Sequence, residues 1–245
     1  MATPDSAMSG RAAPEILFLH PVGLDHNIWT DVLAPRGRAI DFPGHGTEPP
    51  AETVSMTGLA DYVLSHMSEP VTLVGLSLGG AVALQVALRA PESVASLVVA
   101  CSTATARPPV MLERAAAIRD GGMAGVLQST LERWFTPDAL ATPGHPGVEY
   151  ARERLLDDDA ETIAGYWEAM AEHDVASDLP SINVPTTIIA GARDAAGGPD
   201  AMEPIARSIP GAVFEVVDGP HMLPLEQPRE FRAAVDRHLD RAAPS

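Results

Sequence analysis

Short runs of apolar residues recur along the chain and alternate with longer stretches that have helical periodicity. The runs are rich in Val, Ile and Leu, as is typical of parallel strands that are buried on both faces. They predict strands at 16–19, 38–40, 71–75, 94–100, 186–190 and 212–217. Strands that alternate with helices favour one α/β domain, with a mostly parallel central sheet and helices on both faces.

The remaining segments predict helices, and they divide the chain into a core and an insertion. Residues 103–178 carry helix formers and scattered charges but no good strand pattern, so we expect a helical cap there. The core then comprises 14–102 and 179–245. The predicted helices are 56–67, the stretch after residue 77 until just before Pro91, 110–120, 125–134, 150–158, 160–172 and 229–241.

Charge narrows the range of partners. The formal net charge is −17, which argues against nucleic acid or an anionic membrane surface as a partner. We interpret this acidity mainly as a solvated surface. An anionic substrate would need cations close to its pocket.

Cysteine content and the N-terminal segment bear on location. The one cysteine, Cys101, excludes an intramolecular disulfide and fits a reducing compartment, so we expect a cytoplasmic protein. Its position at the end of an apolar run favours a small buried residue over a nucleophile. Residues 1–13 lack the apolar region of a signal peptide and predict a flexible tail. No segment is long and apolar enough to cross a bilayer.

The strand at 71–75 leads into Gly75-Leu76-Ser77-Leu78-Gly79, and a helical pattern follows. A Gly-x-Ser-x-Gly motif in this setting predicts a sharp strand-to-helix turn that presents a serine hydroxyl at the carboxyl end of the sheet. The glycines allow the tight backbone approach, and the helix N-terminus favours developing negative charge. We therefore predict that Ser77 is a nucleophile.

A serine nucleophile needs a histidine base and a carboxylate that orients it. Asp194 follows the strand at 186–190, and His221 follows the strand at 212–217. Both thus lie at the same sheet edge as Ser77, in the chain order serine, acid, histidine. Asp200 and Asp218 are the rivals for the acid. His20 also ends an apolar strand and more simply shapes its loop, and we assign His45 to the turn at 43–46.

The oxyanion of an acyl-transfer reaction needs two backbone N–H donors. We expect one from Leu78, directly after the nucleophile, and one from Val22, in the loop after the strand at 16–19. The chain has no Cys/His cluster with metal-ligand spacing and no phosphate-binding glycine motif after a strand. We therefore expect no metal, nucleotide or other cofactor.

Together these motifs resemble the α/β-hydrolase family along nearly the whole chain. The resemblance is carried by His20-Pro21-Val22-Gly23, Asp41-Phe42-Pro43-Gly44-His45-Gly46, the segment from Gly75 to Gly80, Gly191-Ala192-Arg193-Asp194, and His221 with Glu226-Gln227-Pro228. It implies an eight-stranded, mostly parallel sheet with a helical cap. It also implies a catalytic triad of Ser77, Asp194 and His221.

A narrower resemblance is to the 3-oxoadipate enol-lactone hydrolases. It is carried by Gly75 to Gly80, Arg119-Asp120-Gly121-Gly122-Met123, Glu132-Arg133-Trp134-Phe135-Thr136-Pro137, and Ser208-Ile209-Pro210-Gly211-Ala212. We expect substrate contacts for Trp134, Arg133 and His20, although Trp134 could equally anchor a cap helix. If the substrate carries a carboxylate, Arg133 or Arg114 could bind it.

The expected function is therefore cofactor-free hydrolysis of a small ester or enol-lactone through an acyl-enzyme. A carboxylesterase, a C–C bond hydrolase or a perhydrolase could use the same triad. A protein that keeps the fold but only binds a ligand under its cap is a further alternative. The sequence leaves the oligomeric state open.

Overall fold

The computed structural model describes residues 13–33 and 37–243. Nearly all of the predicted tail at 1–13 therefore lies outside the described residues. The sheet has six strands, which are β1 (Ile16–Leu19), β2 (Gly37–Ile40), β3 (Val71–Leu76), β4 (Val94–Ala100), β5 (Thr186–Gly191) and β6 (Val213–Val217). Their order is β2-β1-β3-β4-β5-β6, and every neighbouring pair is parallel.

The predicted strands and fold class are confirmed. All residues of β1, β3 and β5 are buried, as their unbroken apolar runs predict for strands covered on both faces. The resemblance implies eight strands, but the sheet of the described residues has six. Only residues 13–15 of the described chain precede β1, which is too short a segment for further strands before it.

Nine α-helices accompany the strands in the described residues. They are α1 (Met56–Ser65), α2 (Leu78–Arg89), α3 (Pro108–Trp134), α4 (Pro137–Ala141), α5 (Pro146–Asp157), α6 (Ala160–Ala171), α7 (Pro199–Ser208), α8 (Leu223–Glu226) and α9 (Pro228–Ala242). Helices α4, α7 and α8 are not predicted from the sequence. Each carries a proline in its first turn, where proline is favoured but is easily mistaken for a loop signal.

Helix α3 covers two helices that the sequence predicts separately. It bends at Gly122, whose φ of 65° is not helical. A positive φ is easily reached by glycine, so the bend lies where the sequence allows it. Helices α3 to α6 lie between β4 and β5, within the segment predicted as the cap.

The two ends of this helical segment are tied together at its base. Thr105 and Asp174 form an isolated antiparallel β-bridge. The Ala106 N–H donates to the His173 carbonyl at 2.7 Å, and the Val175 N–H donates to the Ala104 carbonyl at 2.8 Å. The segment therefore leaves and re-enters the core at one place, like an inserted unit. Among the helices of the described ranges, none combines the length and apolarity needed to cross a membrane.

Helix α2 approaches β1 so closely that Gly79 cannot carry a side chain. A Cβ atom there would lie 2.1 Å from the Leu19 carbonyl oxygen. We expect Gly79→Ala to lower the free energy of unfolding by about 3 kcal/mol or more, because the atoms that the added Cβ would meet belong to the backbone. Urea unfolding followed by circular dichroism measures this change.

Gly125→Ala in α3 is the matched control, since a Cβ there would meet nothing within 4 Å. This substitution should stabilise the protein by about 0.5–1 kcal/mol through helix propensity alone. Equal effects of the two substitutions would contradict the close contact between α2 and β1.

Candidate active site

Ser77 lies at the turn between β3 and α2 in a conformation that L-residues seldom adopt. Its φ is 55° and its ψ is −116°. Such strain persists only where the surrounding structure enforces it. At the base of the turn, a Cβ on Gly75 would lie 2.3 Å from the Gly79 carbonyl oxygen, so only glycine fits there. The motif therefore folds as the sequence predicts.

Three hydrogen bonds hold the strained turn. The Ser77 N–H donates to the Ala100 carbonyl at 2.9 Å. The Ser77 carbonyl accepts from the Ala81 N–H at 3.0 Å and from the Ser102 hydroxyl at 2.7 Å. The N–H and the carbonyl of Ser77 thus both have hydrogen-bond partners, and none of these bonds involves the side-chain hydroxyl. The contribution of Ser102 is not visible in the sequence, because it depends on the alignment of β3 with β4.

Asp194 and His221 meet at the ends of β5 and β6. His221 Nδ1 lies 2.6 Å from Asp194 Oδ2, and the second carboxylate oxygen accepts from the Ala196 N–H at 2.8 Å. The Asp194 side chain has no exposed surface. Burial alone would raise its pKa, but His221 and the amides of Ala196 and Gly197 outweigh that effect and lower the pKa overall. The carboxylate is therefore ionised and can orient the imidazole.

The two rival acids lie elsewhere. Asp200 is in the first turn of α7. The Asp218 side chain is 86% exposed and pairs with Arg193 Nε at 3.1 Å. Asp194 is thus the carboxylate that bonds His221.

A cavity of about 110 Å³ brings Ser77 and His221 together. Both line it, together with Val22 and with Trp134 and Arg133 of α3. Among the described residues, the hydrogen bond that joins two of the three predicted triad side chains is the one between His221 and Asp194, and Ser77 and His221 line the same cavity without bonding each other. The structure therefore brings the three predicted triad residues to one site.

Two main-chain N–H groups beside this cavity are free to bind a ligand. The N–H groups of Val22 and Leu78 donate no hydrogen bond to any residue in 13–33 or 37–243. Leu78 is the first residue of α2, so its N–H has no acceptor within the helix. Val22 lines the cavity. These are the two positions predicted for the oxyanion hole.

His20 supports the loop that carries Val22. It is fully buried, and the Phe42 N–H donates to its Nε2 at 2.9 Å. Its Nδ1 therefore carries the proton and bonds the Pro21 carbonyl at 2.7 Å. Burial lowers its pKa to about 4, so the ring is neutral near pH 7. The predicted substrate contact by His20 is not seen, because both nitrogens bond backbone and the ring lines neither cavity described here.

His45 supports the same loop from the turn predicted at 43–46. The Gly23 N–H donates to His45 Nε2 at 3.0 Å. Burial and the neighbouring His20 lower its pKa well below the ordinary value, so this imidazole is also neutral. Sequence reasoning assigns His45 to its turn and misses this contact, because nothing local indicates that the turn folds back onto the loop after β1.

Cys101 lies close to the His221–Asp194 pair. Its sulfur is within 4.8 Å of a ligand atom of each of these residues. Burial and the Asp194 charge raise the pKa of Cys101 well above its usual value. It therefore remains a thiol, in agreement with its interpretation as a small buried residue rather than a nucleophile.

Trp134 and Arg133 both line the cavity, as predicted. The Trp134 carbonyl also accepts from the Met222 N–H at 3.1 Å, which ties α3 to the residue after His221. A second cavity of about 280 Å³ adjoins it, and both spaces are lined by Val22, Arg114, Arg133, Trp134 and Trp167. Trp134 thus serves both of the roles considered for it, as packing anchor and as cavity wall.

The fold is that of a known family of hydrolases. Residues 16–234 match the model of a family described as the alpha/beta hydrolase family. The chain belongs to the α/β-hydrolase family, which confirms the resemblance found in the sequence.

Curated relatives include lactonases and esterases. A 3-oxoadipate enol-lactonase of Acinetobacter baylyi is 31% identical, over 89% of this chain and 86% of that protein. A pimeloyl-[acyl-carrier protein] methyl ester esterase of Chromobacterium violaceum is 29% identical, over 94% of this chain and 96% of that protein. The narrower resemblance to enol-lactone hydrolases is thereby confirmed at modest identity.

Solved structures of an enol-lactonase and an esterase share this fold. The enol-lactonase of Burkholderia xenovorans LB400 superposes with a TM-score of 0.88 at 27% identity, and the match covers 93% of this chain and 92% of that one. A thermophilic esterase of Thermogutta terrifontis, solved with malate bound, gives a TM-score of 0.84 at 26% identity, over 94% of this chain and 90% of that one.

The neutral state of His20 makes a pH-dependent contribution to stability. Its pKa falls from 6.5 to about 4 on folding. Below pH 6.5 the unfolded chain therefore binds a proton that the folded chain does not. The contribution of His20 to the free energy of unfolding is complete above about pH 6.5. It is lost as the pH falls towards about 4, at up to about 1.4 kcal/mol per pH unit.

We expect the difference in the free energy of unfolding between the wild type and His20→Asn to shrink between about pH 6.5 and about pH 4, because asparagine does not titrate. Urea titrations at a series of pH values measure it. A gap that stays constant from pH 7 down to pH 4 would show that folding does not suppress the protonation of His20.

Proposed function

We propose that this protein is a cofactor-free serine hydrolase that cleaves a small ester or enol-lactone. The observation that carries the proposal is the position of Ser77, on a strained turn facing the same cavity as the hydrogen-bonded His221–Asp194 pair. The free N–H groups of Val22 and Leu78 add the donors that acyl transfer requires.

Acylation begins when Ser77 Oγ attacks the carbonyl carbon of the substrate and His221 Nε2 takes the hydroxyl proton. Because Nδ1 is bonded to Asp194, the other ring nitrogen faces the reaction, and the carboxylate stabilises the imidazolium that forms. The substrate oxygen becomes an oxyanion, which the N–H groups of Val22 and Leu78 bind. The N-terminus of α2 adds favourable potential at this point.

Collapse of the tetrahedral intermediate breaks the ester bond, and His221 returns its proton to the leaving oxygen. A water molecule then attacks the acyl-enzyme, again with His221 as base, and releases the acid and Ser77. If the leaving group is an enol, it tautomerises to a ketone, which favours cleavage. In a lactone the two products remain one molecule.

The named relatives and neighbours support both substrate classes. The lactonases of Acinetobacter baylyi and Burkholderia xenovorans favour an enol-lactone. The esterases of Chromobacterium violaceum and Thermogutta terrifontis favour a simple carboxylic ester as the second candidate. A cavity of about 110 Å³ over Ser77 fits a small reacting group in either case.

Substitution of the proposed triad tests the mechanism. We expect Ser77→Ala to lower kcat by at least about 10⁴-fold, and Asp194→Asn to lower it comparably by stabilising the wrong imidazole tautomer. Turnover of 4-nitrophenyl esters and of an enol-lactone gives the rates. The exposed Ser177→Ala variant is the control and should keep full activity.

A vinylogous diketone and a peroxide-dependent assay in the same panel detect C–C bond cleavage and perhydrolysis. Undiminished ester hydrolysis by Ser77→Ala would refute the mechanism. Complete inactivity of the wild type on the whole panel would favour a ligand-binding role.

A further inference from the structure

Glu226 is an acidic residue that the structure holds against the cap. It belongs to the segment Glu226-Gln227-Pro228 after His221, which takes no part in the proposed mechanism. In a chain with 33 acidic residues and 16 cations, most carboxylates are expected to be solvated. Glu226 is instead partly buried, and it takes part in none of the ion pairs among the described residues. Its hydrogen bonds must therefore account for its position.

Both carboxylate oxygens of Glu226 bind one residue of the cap, Thr136. The Thr136 N–H donates to Oε2 at 3.0 Å, and the Thr136 hydroxyl donates to Oε1 at 2.6 Å. Thr136 is buried, and hydrogen bonds to an ionised acceptor are stronger than those between neutral groups. Glu226 thus fastens the junction between α3 and α4 to helix α8.

A third hydrogen bond lies one helical turn earlier along the chain. The Met222 N–H, directly after His221, donates to the Trp134 carbonyl at 3.1 Å. Met222 and Glu226 lie on the same face of α8, since the Glu226 N–H donates to the Met222 carbonyl at 3.2 Å. The three bonds join residues 134–136 to residues 222–226, and we call this contact the α3–α8 clamp.

The core side of the α3–α8 clamp is firmly packed. Met222 and Leu223 have no exposed surface. A Cβ on Gly219 would lie 2.6 Å from Leu223 Cδ2, so α8 also fits closely against the loop that carries His221. Loss of the clamp should therefore release the end of α3 and leave the His221 loop in place.

The end of α3 that the clamp holds forms part of the cavity wall. Arg133 and Trp134 line both the cavity with Ser77 and the larger one beside it. Trp134 also reaches the loop of the predicted oxyanion hole, because its Cη2 would lie 3.6 Å from a Cβ on Gly23. A displacement of this helix end would change the walls against which a substrate packs beyond its ester group.

We propose that Glu226 is a positioning residue, which through Thr136 holds Trp134 at the wall of the catalytic cavity and so determines how well substrate groups beyond the ester bind. The inference rests on the proposed function of Ser77. Glu226 lines neither cavity and has no contact with the reacting atoms. Its effect should therefore lie in KM rather than in the chemical step.

Two esters with the same leaving group separate this effect from a loss of active enzyme. The acyl chain of 4-nitrophenyl hexanoate extends further along the cavity walls than that of 4-nitrophenyl acetate. We expect Glu226→Gln, in which an NH2 group replaces one acceptor oxygen, to lower the hexanoate-to-acetate ratio of kcat/KM by about tenfold. The fall should come mainly from a higher KM for the hexanoate. A loss of stability alone would not change this ratio.

Substitutions of Thr136 test the same contact from the cap. Thr136→Val removes the hydroxyl but keeps the N–H, and should lower the ratio by about threefold, whereas Thr136→Ser should retain the wild-type ratio. In the Glu226→Gln/Thr136→Val double variant the loss should be smaller than the product of the single losses, because both substitutions act on one contact. Glu230→Gln is the control, since Glu230 is exposed in the first turn of α9.

Amide hydrogen exchange tests the α3–α8 clamp without turnover. The Thr136 amide bonds Glu226 directly, and the Met222 amide reports on the position of the Trp134 carbonyl. We expect both amides to exchange faster in Glu226→Gln than in the wild type, by about tenfold, and to be unchanged in Glu230→Gln.

The outcomes distinguish this inference from the proposed function. Equal hexanoate-to-acetate ratios in the wild type and Glu226→Gln, or an equal fall in Glu230→Gln, would overturn the positioning role and leave ester hydrolysis standing. If the wild type hydrolyses neither ester, the proposed function fails. Faster exchange at Met222 in Glu226→Gln would then still support a clamp that holds Trp134, and unchanged exchange would overturn it.

Discussion

The site depends on one backbone constraint, the positive φ of Ser77 between β3 and α2. The turn is possible only because glycines occupy the close contacts around it, and because Ala100 at the end of β4 and Ser102 just after it supply hydrogen bonds that hold it. Parallel strands then bring the other groups to the same edge, since the carboxyl ends of β5 and β6 carry Asp194 and His221. Ser77, the His221–Asp194 pair and the N–H groups of Val22 and Leu78 thus converge through sheet topology rather than through proximity in sequence.

Further side chains hold the loops at this edge of the sheet in position. The loop with Val22 is held from behind by two buried, neutral imidazoles, His20 and His45, which accept hydrogen bonds from backbone N–H groups. Neutral histidine suits this position because it offers an acceptor without the cost of a buried charge. Helix α3 is joined to the His221 loop because the Trp134 carbonyl accepts a hydrogen bond from the Met222 N–H.

Sequence patterns predict most of this architecture, and the exceptions have physical causes. Apolar runs identify β1, β3, β4 and β5 because both faces of the sheet are covered there, and shorter or interrupted runs identify the partly exposed edge strands β2 and β6. The Gly-x-Ser-x-Gly motif and two strand-end residues identify Ser77, Asp194 and His221. Helix α7 escapes prediction because its first turn begins with Pro199, and the roles of His45 and Ser102 escape because each depends on a contact between distant segments.

The most direct measurement of the central claim is a crystal structure of the protein after reaction with a 4-nitrophenyl phosphonate. The account predicts a covalent bond from phosphorus to Ser77 Oγ, with the phosphoryl oxygen about 2.7–3.1 Å from the nitrogens of Val22 and Leu78. It also predicts that His221 stays bonded to Asp194 and turns its other nitrogen towards the adduct. Modification of a different side chain, or a phosphoryl oxygen directed away from both amides, would contradict the account.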